Sequence, residues 1–429
     1  MKWRPNPASR QSGVAWLGDV PIDWRAKRLK YCVTLSNEKS DGRGVELPYI
    51  GLEHIESWTG KRLIATEKTE ADGEVNRFRP GDVLFGKLRP YLAKAYRANK
   101  EGVCTGELLD LRPSEVNQDF LFYYLVSRDF IAVVDSSTYG AKMPRASWEF
   151  IGNLPLLLPP DDVQRAIAAF LDRETARIDA LIAKKQRQIE LLQEKRVALI
   201  SHAVTSGLDS NVPMKDSGIE WLGKIPRQWE MRRLKYVSSI NDEVLSEDAD
   251  PEYELLYVDI GNVDASSGIQ KKESMRFKNA PSRARRRVKE GDVIVSTVRT
   301  YLRAIEPISE PEENLVVSTG FAVVRPRGQL EARFAAYALR APYFVDAVVA
   351  RSVGVSYPAV NASDIADIRI ALPPPSEQLA IAGYLHRETA RIDALIAKVR
   401  ESITTLREYR TALISAAVTG KIDVREGAA

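Results

Sequence analysis

Apolar residues recur three and four positions apart over two long stretches, one opening after Pro159-Pro160 and one after Pro373-Pro374-Pro375. In the first, one seam carries Ile182 and Ile189 and runs on to Arg196. The other carries Lys185, Leu192 and Leu199. The second stretch gives Ile396, Ile403 and Arg410 on one seam, and Val399, Leu406 and Leu413 on the other. Spacing that alternates between three and four is the heptad of helices that supercoil about a partner. Asp161 and Asp162 suit the first helix N-terminus, Ser376 and Glu377 suit the second, and Gly207 and Gly420 sit where each should stop. Gly383 is the weak point inside the second. About 42 residues at 1.5 Å each span roughly 63 Å if unbroken. A rod so long with so narrow an apolar stripe needs a partner, and the nearest is its own repeat. The connectivity predicts antiparallel pairing.

The two stretches are near copies. Arg173–Lys184 reads RETARIDALIAK and so does Arg387–Lys398, while ALISHAVT at 198–205 returns as ALISAAVT at 412–419. The repetition extends outward more loosely. WLGDVPIDWRAKRLKY (16–31) answers WLGKIPRQWEMRRLKY (221–236), and Gly81-Asp82-Val83 answers Gly291-Asp292-Val293. Gly140 and Pro144 answer Gly354 and Pro358. Residues between these marks differ. The reading is four parts: a globular unit over 1–160, a helix over 161–207, a second globular unit over 208–374, and a second helix with a short tail over 375–429.

Inside the globular units the pattern is mixed. Tyr49–Ile55 and Tyr257–Val263 read as strands that end near turns at Gly60 and Gly268, and Val83–Phe85 and Val293–Val295 read as strands after a Gly-Asp turn. Asp119–Ser127 and Ala332–Arg340 have helical spacing. The fold class is therefore α+β: two mixed α/β units joined by two long helices forming an antiparallel coiled coil, pseudo-twofold symmetric.

Composition removes several functions. With 44% hydrophobic and 28% charged residues in 429, neither long disorder nor a collagen-like repeat fits. Two cysteines and three scattered histidines (His54, His202 and His386) make a disulfide scaffold or a zinc module a poor reading. No apolar run approaches the roughly 18 residues of a membrane span, and the first residues carry no apolar signal core, so we expect a cytoplasmic protein without a membrane partner. Phosphate-loop, zinc-helix and nucleophile-elbow motifs are all missing, so the chain reads as a non-enzyme that binds no metal and no cofactor of its own. The formal charge is only +4, so contact with nucleic acid has to come from local placement.

The candidates for such contact are basic and aromatic groups near turns. Arg89, Tyr91 and Lys94 follow one strand, and Arg299, Tyr301 and Arg303 follow its counterpart. A guanidinium just beyond a strand can hold phosphate or read guanine, or can simply brace backbone carbonyls. Tyr139, Lys142 and Arg145 lie in one glycine loop, Ser356 and Tyr357 in the other. Arg283, Arg285, Arg286 and Arg287 form a basic run suited to phosphate or to plain solvation.

On these residues the chain resembles the specificity subunit of type I restriction–modification systems. The carriers are the paired WLG…IP..W…RLKY openings, the paired GDV turns, the G…P segments ending in PP, and the E.R.ALIS.AVT helix ends. The resemblance implies two target recognition domains, each reading half of an asymmetric split DNA sequence. It implies spacer helices that dock two methyltransferase subunits, which use S-adenosylmethionine to methylate the N6 atom of adenine, and two motor–nuclease subunits beyond them. Lys185 departs from the pattern, standing where a seam expects an apolar residue. Two rivals remain on sequence grounds: a coiled-coil scaffold with two ligand-binding heads, and a fused modification enzyme.

Overall fold

The computed structural model describes residues 6, 8–42, 47–63, 73–264, 268–355 and 357–424. The chain divides into two compact units. Unit 1 takes Met1–Gln186 with Arg400–Ala429, and unit 2 takes Arg187–Val399. Both predicted helices form, over Asp161–Ser206 (46 residues) and Pro375–Val418 (44 residues). Gly207 and Gly420 follow them with φ of 78° and 71°, the left-handed stop a side chain resists. Each helix is shared between the units.

Unit 1 holds two four-stranded sheets. One is antiparallel, in the order Val33–Ser36, Leu108–Pro113, Val83–Gly86, Ala95–Arg97. The other runs Lys39–Asp41, Glu74–Phe78, Gly102–Cys104, Tyr49–Ile50, and its last pair is parallel. Unit 2 repeats the first sheet as Ser238–Ile240, Phe321–Pro326, Val293–Ser296, Ile305–Pro307. It repeats the core of the second as Ala284–Arg287, Leu315–Ser318, Glu254–Val258, again with a parallel last pair. The edges differ, because unit 2 adds Glu273–Arg276 beside Glu254–Val258.

The stretches expected as strands over Tyr49–Ile55 and Tyr257–Val263 break after Ile50 and Val258, the second into a 3-10 turn over Ile260–Asn262. Leu52–His54 is a 3-10 turn in which His54 Nδ1 accepts the Gly51 amide at 3.0 Å. A buried imidazole that completes a cap overrides the strand-like residue pattern here, and it gives His54 a structural role. Within the basic run, Ala284–Arg287 is a strand.

The repeated motifs are explained by what they hold. Asp82 is buried, accepts the Arg79 amide at 2.7 Å, and takes the Arg112 guanidinium on both oxygens. Asp292 does the same for Lys289 and Arg325. The preceding Gly81 and Gly291 have φ of 96° and 83°, so the Gly-Asp pair is a turn and its buried anchor. Buried Gln164 accepts the Asn117 amide and donates to the Pro159 carbonyl, and Gln378 treats Glu331 and Pro373 likewise. Each glutamine thus ties the start of a long helix to the short helix of its own unit. The IP..W tryptophans close the other end. A Cβ on Gly420 would lie 2.4 Å from Pro21 Cδ and 3.2 Å from Trp24 Cη2, and one on Gly207 would lie 3.3 Å from Trp229 Cζ2.

In both units the beginning of one long helix therefore shares a core with the end of the other. Val163, Ile167, Phe170, Leu171 and Ile178 pack with Leu413, Ile414, Ala417 and Val418 in unit 1. Ile200, Ala203 and Val204 pack with Ile381 and Leu385 in unit 2. That is the antiparallel sense. Ion pairs repeat it: Arg410 Nε lies 3.0 Å from Asp179 Oδ1 in unit 1, and Arg196 Nε lies 3.4 Å from Asp393 Oδ1 in unit 2. Of the seam residues, Ile189, Ile396, Val399, Ile403 and Leu413 are buried, and Ile182, Leu192, Leu199 and Leu406 are half-buried. Lys185 and Arg196 are half-buried as well.

Candidate nucleic-acid interface

Two loops in each unit are locked together by backbone hydrogen bonds. After strand Val83–Gly86 the chain makes a 3-10 turn over Pro90–Leu92, flanked by Arg89 at φ 51° and Ala93 at φ 46°. Non-glycine residues resist this left-handed region, and such strain persists only where the surroundings enforce it. Unit 2 repeats the device around Thr300–Leu302, with Arg299 at φ 50° and Arg303 at φ 52°.

The glycine loop supplies the enforcement. Tyr139 and Arg145 exchange both backbone hydrogen bonds at 3.1 Å, closing a narrow hairpin around Gly140, whose φ is 94°. Its partner strand is the first loop: the Arg89 amide donates to the Pro144 carbonyl at 2.7 Å, and the Ala146 amide donates to Lys87 at 3.0 Å. In unit 2 Val353 and Ala359 exchange bonds around Gly354 (φ 112°), and the Arg299 amide donates to Pro358 at 2.8 Å. The same backbone platform is thus built twice with different side chains.

The sequence candidates separate by what they touch. Tyr91, Tyr139, Lys142, Tyr301 and Tyr357 are exposed on the platforms. Arg89 is exposed and makes one long bond, 3.4 Å, to the Lys142 carbonyl. The Arg299 guanidinium lies over the Tyr357 ring at 5.2 Å. Others are held by the protein itself. Lys94 Nζ donates to the Leu52 carbonyl at 2.6 Å. Arg145 forms a two-pronged pair with Glu107 at 2.9–3.2 Å, which raises its pKa further. Arg303 meets Asp346 at 3.1 Å. Ser356 lies outside the described residues.

Of the basic run, Arg283, Arg285 and Arg287 have partners within the unit. Arg283 contacts the Tyr257 hydroxyl and Asp259, Arg285 lies 4.9 Å over Phe277, and Arg287 reaches the Tyr253 hydroxyl. Arg286 is half-buried, its Nε meets no acceptor, and burial pulls its pKa down. The sequence does not reveal that the two loops pair. Its only trace is the recurrence of Gly140 and Pro144 as Gly354 and Pro358, in step with the Arg-x-Tyr-Leu turns. Met143 and Val353 are exposed on the platforms without having been singled out.

A cleft of about 480 Å³ opens in unit 1 between this body and the helices. Its charges are matched internally: Arg97 pairs with Asp119 and Asp172, and Lys61 with Asp179. Among the described residues no cluster of His, Cys, Asp and Glu could hold a metal ion, and no helix is long and apolar enough to cross a membrane.

Two mixed sheet units thus each present a paired-loop platform, and each is fastened to a repeated helix. The family model for the type I restriction modification DNA specificity domain matches twice, over residues 28–191 and 226–405, and the chain belongs to that family. It is 23% identical over 434 residues to the type I restriction enzyme MjaVIII specificity subunit of Methanocaldococcus jannaschii, covering 95% of this chain and 94% of that one. Among solved structures it resembles a chain from a study of complex assembly and conformational transition of the type I R-M system. That match has 20% identity, a TM-score of 0.70, and covers 93% of this chain and 98% of that one. It also resembles the HsdS subunit from Thermoanaerobacter tengcongensis, at 20% identity and a TM-score of 0.54, over 96% of this chain and all of that one.

Proposed function

We propose that this chain is the non-catalytic reader of a type I complex in the cytoplasm. Each unit recognises one half of a bipartite, asymmetric stretch of double-stranded DNA through its paired-loop platform. The long helices set the gap between the halves and dock two methyltransferase subunits, through which two motor–nuclease subunits join. S-adenosylmethionine belongs to the methyltransferase, and this chain holds no cofactor.

The observation that carries this reading is a contrast between two surfaces. The platforms share a backbone but differ in their exposed side chains: Tyr139, Lys142 and Met143 on one, Val353 and Tyr357 on the other. Side chains that differ on a common frame suit two unlike base sequences. The outer helix faces do the opposite. Arg173, Arg177, Leu181 and Lys184 are exposed, and so are their identical counterparts Arg387, Arg391, Leu395 and Lys398. Leu181 and Leu395 are 41% and 44% exposed, so packing within the chain does not account for their identity. A face shown twice suits two copies of one partner.

The test is reconstitution. Purified chain, alone and with its methyltransferase subunit, is given duplex DNA and labelled S-adenosylmethionine. The expected result is no methyl transfer by the chain alone, transfer by the mixture, and DNA binding that weakens steeply with salt. Transfer by the chain alone would make it a fused enzyme. No DNA binding at low salt, even with the partner, would make it a scaffold.

A further inference from the structure

The polar break in the second helix seam has a use that pairing of helices does not explain. Arg410 is only 7% exposed. Its Nε bonds Asp179 Oδ1 at 3.0 Å across the helix pair, and its Nη1 donates to the Trp58 carbonyl at 2.9 Å. Lys61 Nζ holds the other Asp179 oxygen at 2.8 Å. The guanidinium therefore clamps a turn of the globular body onto the helices.

That turn is tightly determined. The Glu56 amide donates to the Lys61 carbonyl and the Gly60 amide to the Glu56 carbonyl, while the Thr59 hydroxyl donates to the Glu56 carboxylate. Trp58 sits at φ 67°, strained for a side-chain-bearing residue. A Cβ on Gly60 would lie 2.5 Å from Phe122 and 2.7 Å from the Ala95 carbonyl, so the turn is wedged against the sheet. Its outward amide is what matters. Trp58 N donates at 3.2 Å to the carbonyl of Ala93, the left-handed residue that ends the Pro90–Leu92 turn. The two amides next in line inside that turn donate back to Pro90 and Arg89. An unbroken path of bonds runs from Asp179 through Arg410, Trp58 and Ala93 to the loop that exposes Arg89 and Tyr91.

We propose that Arg410 is a positioning residue for DNA reading by unit 1. It fixes the height and strain of the Arg89–Lys94 loop relative to the helices, touching no DNA itself. This rests on the reading of the loop as a base-contacting element, and the test separates the two.

The complex of full-length chain and methyltransferase is expressed in a methylation-free host, and N6-methyladenine is mapped across the host DNA. The wild type must give a two-part motif; if it does not, the functional reading fails and not this inference. Arg410→Met is expected to assemble and to relax one half of the motif only. Methylation at single-base mismatches in that half should rise about tenfold or more, the equivalent of one lost charge-assisted bond, with the other half unchanged. A merely structural role would weaken both halves together. If Arg410→Met does not assemble, Arg410→Lys is read the same way, since an ammonium cannot serve Asp179 and Trp58 in the fork geometry. In whichever variant assembles, full discrimination at both halves, or an equal loss at both, overturns the proposal.

Discussion

Asp110 is a buried acid in unit 1, and its replacement makes a sharp prediction. It lies in the strand Leu108–Pro113, is 1% exposed, and neither carboxylate oxygen finds a hydrogen-bond partner. Burial, then the neighbouring charge of Asp82, push its pKa from the ordinary 3.8 up to about 7; Ser36 lies close enough to oppose the shift, yet its hydroxyl makes no bond of good geometry. Unit 2 shows what the fold prefers there. Asp110 is in register with Leu84, and Val323 holds the same place opposite Ile294.

The sign follows from the raised value. Below pH 3.8 both folded and unfolded chains hold the proton and nothing is lost. Between 3.8 and 7 the unfolded chain releases it and the folded one does not, so stability falls as pH rises. At 1.36 kcal/mol for each pH unit, a rise of that size is on the order of a few kcal/mol, most of it lost between pH 5 and pH 8. Asp110→Val should recover most of it, because Val323 already fills the equivalent place in unit 2 and the buried charge is gone. The assay is amide hydrogen exchange under mild urea at both pH values, comparing strand Leu108–Pro113 with strand Phe321–Pro326 as the internal control. Unit 1 of the variant should gain far more protection at pH 8 than at pH 5, with unit 2 unmoved. A variant that is destabilised at pH 8, or that keeps the wild-type pH dependence, would refute the reasoning.

Other outcomes follow from the same geometry. Glu107→Ala should release Arg145, loosen the Tyr139–Arg145 hairpin, and cost about tenfold in affinity for one half-site while the thermal midpoint barely moves. Tyr91→Ala and Tyr301→Ala remove exposed side chains, so each should weaken reading of a different half without unfolding; loss at the same half from both would contradict two independent readers. Leu192→Asp with Leu406→Asp places charge at two half-buried helix positions and should abolish stable assembly, measured by size exclusion with the methyltransferase; a normal complex would refute the seam. Gly420→Val should cost about 2 kcal/mol or more in unit 1, from its positive φ and the clash with Pro21, read as a lower urea midpoint.

Much of this was legible from residues alone, for identifiable reasons. The helices announce themselves because a heptad, its caps and its stop glycines all agree. The Gly-Asp turns recur because a buried aspartate must cap a turn and meet an arginine, and that demand is the same in both units. The 3-10 turns at Leu52–His54 and Ile260–Asn262 were hidden because each is closed by one side chain, His54 or Asn262, accepting an amide, which hydrophobic alternation does not register. The partners of the arginine run were hidden for a related reason. Charge in a sequence says nothing about partners, and Arg283 and Arg287 spend theirs on tyrosines and aspartate far along the chain. The pairing of the two platform loops was out of reach because backbone bonds between distant segments leave no mark on residue identity beyond a glycine and a proline.

Two unlike readers on one chain should leave a two-part methylation pattern. Mapping N6-methyladenine in DNA from cells expressing this chain with its methyltransferase tests it most directly. The account predicts two different short blocks separated by a gap of fixed length and unspecified sequence, with the gap changing when both helices are shortened by about one turn. A single continuous motif, two identical blocks, or a gap indifferent to helix length would contradict it.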